Sequence, residues 1–369
     1  MSLNRTMFPK DAKRLITAMI NMQRPIFVHG SPGIGKSDII RQIGQAEGRD
    51  VYDVRLLLMT EVDVRGIPYF NATTGKMEWA PPGVFPLDEG SNAIIFLDEI
   101  TQASPSVQAA ALQLVLDRKI GDYSLPEKVS IVAAGNTAKD KTGAKPLIKA
   151  LANRFTHINL VHRFDDWADW AVEASVSPEI VGYLSHKKAH LYTFDAGSPE
   201  NAFATPRTWV FFVDKFLKSV GKPNGIPEDL LADAIAGAVG EGVAMEFMAL
   251  RKIMAAMPKA EDILSGAVTN LTNKEINIQY SLIYSCFYQL REMWTDSLEG
   301  RIKDEEYCAA FGKFLNFCNT CIEPELVVLA IKLVVPNSKN GAPMMPNQKK
   351  IPELKEFVQK NAHILEYIQ

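Results

Sequence analysis

Residues 30–37 read GSPGIGKS and match the pattern G-x-x-x-x-G-K-[ST] of a phosphate-binding loop. An apolar run, PIFVHG, precedes the match and indicates a buried strand, and KSDIIRQIGQAEG after it has the apolar spacing of a helix. Glycines in such a loop let backbone N–H groups converge on phosphate oxygens, and the helix N-terminus adds its positive end. Because the pattern also arises by chance in glycine-containing turns, the interpretation depends on what the rest of the chain supplies.

Two side chains of this segment have defined chemistry. Lys36 would reach the β- and γ-phosphates of a nucleotide, and Ser37 would ligate Mg²⁺. The predicted nucleotide-binding residues are Gly30, Ser31, Pro32, Gly33, Ile34, Gly35, Lys36, Ser37 and Asp38.

An acidic pair follows a second apolar run, NAIIFLDEI at residues 92–100. A buried parallel strand here would deliver Asp98 and Glu99 at its carboxyl end, where ligands sit in open α/β sheets. Asp98 would hold the Mg²⁺ and Glu99 would polarise the attacking water. The alternative, a strand followed by a solvated acidic turn, loses weight beside a phosphate-binding loop.

Two further polar residues, Asn136 and Arg154, follow the acidic pair along the chain and could take part in ATP hydrolysis. Asn136 ends the apolar run KVSIVAAGNTA and could orient the water, or it could only form a turn with Gly135. Arg154 follows the short helical pattern PLIKALA and could reach a γ-phosphate bound elsewhere, or it could only form a surface ion pair.

In this order and spacing, the four pieces resemble an AAA+ ATPase core. LDEITQASPSVQAAALQLVLDRKI, at 97–120, and the hairpin-like EVDVRGIPYFNATTGKMEWAPPGVF, at 61–85, are similar to the MoxR-type branch, which includes the CbbQ/NorQ-like proteins. The resemblance covers about residues 8 to 250.

The resemblance implies a role for each matching position. Lys36 and Ser37 belong to Walker A, and Asp98 and Glu99 belong to Walker B. The remaining predicted catalytic residues are Asn136 as sensor 1, Arg154 as the arginine finger that acts on a neighbouring subunit's nucleotide, and Arg207, in ATPRTW, as sensor 2. A finger that acts on a neighbour requires a ring, which in this family is usually a hexamer.

The periodicity predicts how the chain is organised. Apolar runs near 25–29, 51–55, 93–97, 129–134 and 155–160 predict strands with helices between them, and therefore a parallel α/β sheet covered on both faces. After Asp165 the strand signals end and helical spacing continues. The resemblance and these patterns predict an AAA+ P-loop domain at 1–163, a helical lid at 164–255 and a helical C-terminal extension at 256–369, the last broken by a loop at 336–350.

Composition excludes several classes of protein. The net charge of −3 gives no support for a nucleic-acid-coating protein, and no apolar run approaches the ~20 residues that span a bilayer. Four cysteines in 369 residues form no disulfide framework, and Cys318 and Cys321 are predicted to be buried helical thiols rather than metal ligands. With no leader-like start, the protein is expected to be cytoplasmic.

Three functions remain open at this level. The first is a Mg²⁺-dependent ATPase that remodels or activates a protein partner, such as the von Willebrand A-type partners with which family members often work. The second is a nucleic-acid motor or loader, although the sequence has no basic tail and no GAFTGA-type loop. The third is a nucleotide-gated scaffold with little turnover, which the presence of Glu99 and Arg154 disfavours.

Aromatic residues in the hairpin candidate allow two interpretations. Tyr69, Phe70, Trp79 and Phe85 cluster around Gly75. They could grip a protein segment in the pore of a ring, or they could pack the hairpin on its own domain.

Overall fold

A computed structural model describes residues 6–140, 143–334, 344 and 351–361. By contacts the chain divides into two compact units. The first comprises Met1–Trp167, Phe194–Glu200 and Thr205–Arg207, and the second comprises Ala168–Thr193, Asn201–Ala204 and Thr208–Gln369.

The first unit is built on a six-stranded parallel sheet in the order β1-β10-β2-β9-β6-β3. In chain order the strands of this unit are β1 (Thr6–Met7), β2 (Ile26–His29), β3 (Val51–Arg55), β4 (Ile67–Asn71), β5 (Lys76–Ala80), β6 (Ile94–Asp98), β7 (Lys119–Ile120), β8 (Tyr123–Ser124), β9 (Ser130–Gly135) and β10 (Thr156–Leu160). The five predicted strands correspond to β2, β3, β6, β9 and β10, and the predicted α/β class is confirmed.

Helices connect these strands, as parallel pairing requires. They are α1 (Pro9–Asn21), α2 (Lys36–Glu47), α3 (Glu61–Arg65), α4 (Pro105–Asp117) and α5 (Lys149–Ala152). Helix α4 shows why the sequence folds this way. Ser104 caps its N-terminus by accepting from the Val107 N–H at 3.3 Å, and Ala111 and Leu114 on one side are buried.

The core of this unit lies between α4 and the sheet. Phe27, Ile95, Leu97 and Ile131 from the central strands pack into one buried cluster with residues of α4. Strand β9 is buried along its whole length. Continuous apolar runs of this kind are typical of parallel strands covered on both faces.

Two short antiparallel hairpins leave the sheet. Strands β4 and β5 pair from Ile67 with Ala80 to Asn71 with Lys76, which confirms the hairpin predicted within 61–85. Strands β7 and β8 form the second.

The four aromatic residues in and near the β4–β5 hairpin differ in solvent exposure. Tyr69 is 44% exposed and Phe70 is 64% exposed, so packing on the domain does not explain them. Phe85 is 2% exposed and Trp79 is half-buried, so packing does describe these two.

The second unit is helical in its described residues. Its helices are α7 (Pro178–His186), α9 (Asp214–Ser219), α10 (Leu231–Val239), α11 (Glu241–Met254), α12 (Ala260–Ser265), α13 (Ile276–Leu298), α14 (Asp304–Cys321), α15 (Pro324–Val334) and α16 (Pro352–Lys360). Helices α6 (Phe164–Glu173) and α8 (Pro206–Thr208) span the division between the units, and a π-helical turn, Trp209–Val213, joins α8 to α9.

Within this unit, α13 packs along α7 and α14 packs along α16. The predicted division at residue 255 falls inside the second unit, so the three-domain division stays a prediction. The loop predicted at 336–350 lies outside the described residues except for Met344. The four cysteines are free and buried, and Cys318 and Cys321 lie on α14, which confirms the predicted buried helical thiols. In the described part of the chain, the helices are too short or too polar to cross a membrane.

Candidate functional site

The glycine loop lies where the sequence predicts it, between β2 and α2. Gly33 and Gly35 have φ of 74° and 96°, a left-handed backbone that other residues adopt only with strain. Gly35 is the N-cap of α2, and no side chain of the described residues caps this end by hydrogen bonding. The first N–H groups of α2 therefore stay available to an anion at the helix N-terminus.

Lys36 lies across the loop instead of extending into solvent. Its Nζ donates to the Gly30 carbonyl at 2.7 Å, to the Ser31 carbonyl at 3.1 Å and to Asn136 Oδ1 at 2.9 Å. The side chain is nearly buried. Burial lowers the pKa of Lys36 to about 8, with Arg207 acting in the same direction and Asp98 opposing it.

The Ser37 hydroxyl contacts Asp98, the acidic residue predicted at the carboxyl end of β6. Ser37 Oγ donates to Asp98 Oδ2 at 2.9 Å, and Asp98 is the last residue of β6. Its other oxygen, Oδ1, accepts from the Glu99 N–H at 2.9 Å. A hydroxyl and a carboxylate side by side are hard oxygen ligands of the kind that Mg²⁺ prefers.

Glu99 begins the turn after β6 in a left-handed conformation, φ 56°. Such a φ is uncommon for a residue with a side chain, and strained positions of this kind cluster at functional sites. The turn places Glu99 at the same edge of the sheet as the glycine loop.

Asn136 follows β9, which lies between β2 and β6 in the sheet. Three neighbouring strands thus end at the loop, at Asn136 and at Asp98. Since the carboxyl ends of parallel strands meet at one edge, these groups converge as the sequence predicts.

Arg207 comes from a distant part of the chain, at the start of α8. The backbone N–H of Arg207 donates to the Gly33 carbonyl at 3.3 Å. The nearby Thr205 lies so close to Gly33 that a Cβ on that glycine would stand 2.8 Å from its side chain. The segment before α8 therefore packs directly on the glycine loop, and the exposed Arg207 side chain is near enough to act on the pKa of Lys36.

Arg154 is not brought to this cluster. Thr156, the first residue of β10, pairs with Ile26, so the start of β10, next to the turn that carries Arg154, lies four residues before the level of Gly30, which is about 13 Å at ~3.3 Å per residue. Its side chain is exposed and has no ion-pair partner among the described residues, which argues against the surface ion-pair alternative.

Asp140 belongs to the site although it was not predicted. Its Oδ1 accepts from Ser31 Oγ at 2.7 Å, and its Oδ2 accepts from the N–H and Oγ of Thr137 at 3.0 and 2.7 Å. The carboxylate is nearly buried and joins the turn after β9 to the glycine loop. Its sequence signal is the capping-box spacing of Thr137 and Asp140 in TAKD.

Comparison with known proteins matches residues 25–157 to the model of the ATPase family associated with various cellular activities (AAA). This range includes the glycine loop, the acidic pair, Asn136 and Arg154. Arg207 lies outside it.

Two curated relatives are midasins. The chain is 31% identical to midasin of Dictyostelium discoideum over 169 residues, which are 42% of this chain and 3% of that protein. It is 28% identical to midasin of Giardia intestinalis over 172 residues, which are 44% of this chain and 3% of that protein. The chain therefore spans a small fraction of the length of these relatives.

Solved structures show distant similarity. A putative ATPase from Cytophaga hutchinsonii aligns over 95% of this chain and 88% of that chain, with a TM-score of 0.34 and 14% identity. NtrX from Brucella abortus in complex with ATP aligns over 79% of this chain and 64% of that chain, with a TM-score of 0.39 and 12% identity.

Proposed function

We propose, from the premise that residues 25–157 form an AAA+ ATPase domain, that the protein hydrolyses ATP with Mg²⁺ in a ring of identical subunits and uses the energy to remodel or activate a protein partner. The observation that carries the proposal is the hydrogen-bonded convergence of Lys36, Ser37, Asp98 and Asn136 at the ends of three neighbouring strands. We assign the protein to the MoxR-type branch on the resemblance of residues 61–120.

Nucleotide binding rests on the glycine loop and α2. The N–H groups at the start of α2 face the phosphates, and Lys36 exchanges its carbonyl partners for phosphate oxygens. The Ser37 hydroxyl and the Asp98 carboxylate would hold Mg²⁺, which would supply charge neutralisation at the phosphates.

Hydrolysis requires a water aligned with the γ-phosphate. Glu99 polarises this water as the general base, and a positioned base of this kind typically contributes about 10²–10⁴-fold to the rate. Asn136 accepts from Lys36 Nζ through its Oδ1, so its amide N–H₂ stays available to orient the water. Arg207 reaches the same loop from the start of α8.

The ring follows from the position of Arg154. A side chain that starts in the turn before β10 does not cover the about 13 Å of strand between the start of β10 and the level of Gly30. An exposed guanidinium without an ion-pair partner in the described residues is suited to a γ-phosphate on a neighbouring subunit. We propose a hexamer, as the family resemblance implies.

The partner is proposed to be a protein. The β4–β5 hairpin exposes Ile67, Tyr69, Phe70 and Met77, which are 44–64% exposed. An apolar hairpin of this composition suits contact with a polypeptide segment better than contact with a phosphate backbone. A von Willebrand A-type protein is the partner class that the branch implies.

The test is ATPase rate against protein concentration, with mass measured in parallel with and without ATP and Mg²⁺. We expect the rate per subunit to rise with concentration alongside a mass near six subunits. A constant rate in a monomer would refute the ring, and absence of turnover in an assembled ring would indicate a scaffold. Salt-dependent DNA binding would favour a nucleic-acid motor instead.

Variants separate the roles within the site. Glu99→Gln is expected to bind ATP and lose turnover by about 10²-fold or more. Arg154→Ala is expected to bind ATP normally and lose about 10³-fold or more. Arg14→Ala is the matched control, because Arg14 is an exposed arginine on α1, outside the site. An Arg154→Ala protein that hydrolyses ATP at the parent rate would contradict the shared site.

A further inference from the structure

The turn that carries Arg154 is short and closed by few bonds. Helix α5 ends at Ala152, and the Phe155 N–H donates back to the Ala152 carbonyl at 3.3 Å, so that Arg154 is the third residue of a four-residue turn. The Arg154 N–H donates to the Leu151 carbonyl at 3.0 Å. Since the Arg154 side chain has no ion-pair partner among the described residues, the direction of its guanidinium depends on this turn.

A histidine in β10, His157, also forms a hydrogen bond to this turn. His157 Nε2 lies 2.7 Å from the Ala152 carbonyl oxygen, the same oxygen that accepts from Phe155. A carbonyl oxygen only accepts, so the hydrogen of His157 is on Nε2 and Nδ1 is the acceptor. The Ala152 carbonyl already accepts a hydrogen bond from the Phe155 N–H. The second bond, from His157, therefore does not satisfy an unpaired carbonyl but restrains the orientation of the turn.

The opposite ring nitrogen is also occupied. His29 Nε2 lies 2.9 Å from His157 Nδ1, and with Nδ1 as acceptor the His29 N–H must be the donor. The two rings stack with centroids 5.2 Å apart and an interplanar angle of 29°. His29 thereby fixes the tautomer of His157 that the Ala152 bond requires.

Packing holds the pair in place. Phe27 lies 4.1 Å from His29 and 5.5 Å from His157 between ring centroids, and it meets Phe155 edge-on at 5.7 Å. Burial lowers the pKa of His29 to about 4, with His157 and Lys36 acting in the same direction, so His29 is neutral near pH 7. A neutral His29 donates from one nitrogen only, as the chain of bonds requires.

We propose that His157 is a positioning residue for Arg154, and that the chain of hydrogen bonds from His29 through His157 to the Ala152 carbonyl sets the direction in which Arg154 reaches the neighbouring subunit. This inference rests on the proposed function, in which Arg154 serves the next nucleotide site. The chain begins at His29, the residue before Gly30, whose carbonyl accepts from Lys36. One subunit's glycine loop is therefore joined by side chains to the arginine that acts on its neighbour.

The first measurement uses His157→Phe, which keeps the ring and removes both hydrogen bonds. We expect about a 10- to 100-fold loss of ATPase rate in the assembled protein, since small misplacements of a reacting group have effects of this size. Binding of a fluorescent ADP analogue is expected to stay within about twofold of the parent, because the variant's own glycine loop is intact. His157→Gln keeps an N–H that can reach the Ala152 carbonyl and is expected to retain most of the rate.

Mixing experiments distinguish positioning from general damage. Glu99→Gln subunits carry an intact Arg154 but cannot hydrolyse their own ATP. When they are mixed with Arg154→Ala subunits, the latter regain turnover because they receive an arginine from their neighbours. His157→Phe subunits are expected to regain turnover in the same way, since their own sites need only a well-placed arginine. If the substitution instead damaged the nucleotide site of the variant subunit itself, mixing with Glu99→Gln subunits would not restore its turnover.

The outcomes separate the two proposals. If Arg154→Ala subunits do not regain turnover in the mixture, the shared site itself is wrong. If they do and His157→Phe subunits do not, the positioning role of His157 is overturned while the ring stands. A parent-like rate for His157→Phe alone would overturn it as well. Should His157→Phe fail to fold, His29→Phe, which removes only the donor to Nδ1, is tested in the same mixture against the same criteria.

Discussion

The buried Lys36 makes nucleotide binding depend on pH in a defined direction. Burial lowers its pKa from 10.5 to about 8 in the free protein, so about half of the molecules carry the proton at pH 8. Nucleotide phosphates beside Nζ favour the charged lysine and raise its pKa in the complex. Binding above pH 7 must then take up a proton, and affinity for the nucleotide must fall as pH rises.

The magnitude follows from that pKa. If the lysine is fully protonated in the complex, ADP binding takes up about half a proton at pH 8 and about 0.9 at pH 9. Between pH 7 and pH 9 the affinity falls about tenfold, which corresponds to about 1.4 kcal/mol. The phosphates of the nucleotide titrate near pH 6 and contribute little in this range.

Calorimetry measures the proton directly. Binding of ADP at pH 8 is titrated in buffers of different ionisation enthalpy, and the slope of the observed enthalpy against that quantity is the number of protons taken up. Lys36→Arg is the matched control, since arginine stays charged throughout this range and should show no uptake. A slope of zero for the parent protein, with an affinity that does not change up to pH 9, would refute the argument that burial shifts this lysine.

Three other perturbations test the site and the histidine pair. Gly33→Ala places a Cβ 2.8 Å from Thr205 at φ 74°, and we expect a loss of about 1–2 kcal/mol in folding or at least tenfold weaker nucleotide binding, measured by denaturation and calorimetry. Asp140→Asn keeps the shape but weakens the bonds to Ser31 and Thr137, so we expect about 1–3 kcal/mol lower stability in urea; an unchanged midpoint would contradict the role of this carboxylate. Burial lowers the pKa of His29 in the folded protein to about 4, below the usual histidine value of 6.5, so the unfolded chain binds more protons and the free energy of unfolding falls as pH drops from about 6.5 to 4. After allowance for partial exposure this amounts to about 1–2 kcal/mol, and urea titrations of His29→Gln should lack this component.

The sequence predicts the central strands and the groups at their ends because both depend on local patterns. Buried parallel strands appear as continuous apolar runs, and polar residues that follow such runs must meet at one edge of the sheet. Lys36, Ser37, Asp98 and Asn136 are therefore predictable, and the structure joins them by hydrogen bonds.

Other parts of the site depend on contacts that no local pattern contains. Asp140 becomes part of the site only because the turn after β9 meets Ser31, 109 residues earlier. The pairing of His29 with His157 likewise requires the order of β2 and β10 in the sheet. The exposure of Tyr69 and Phe70 is not predictable from the sequence either. Alternation along a hairpin does not say whether either face packs against another part of the protein.

In the helical part of the chain, close packing crosses residue 255, where the sequence predicts a division between lid and extension. Helix α13, which begins after the predicted lid, lies so close to α7 that a Cβ on Gly182 would stand 2.5–2.9 Å from atoms of Ser281. Farther along, Ser185 Oγ donates to Tyr284 Oη at 3.3 Å, and Arg291 Nη2 donates to Ser175 Oγ at 3.0 Å. Helix α13 therefore shares a packed interior with α7, because only a residue without a side chain at position 182 lets Ser281 approach this closely. Residues on both sides of position 255 therefore belong to one compact unit.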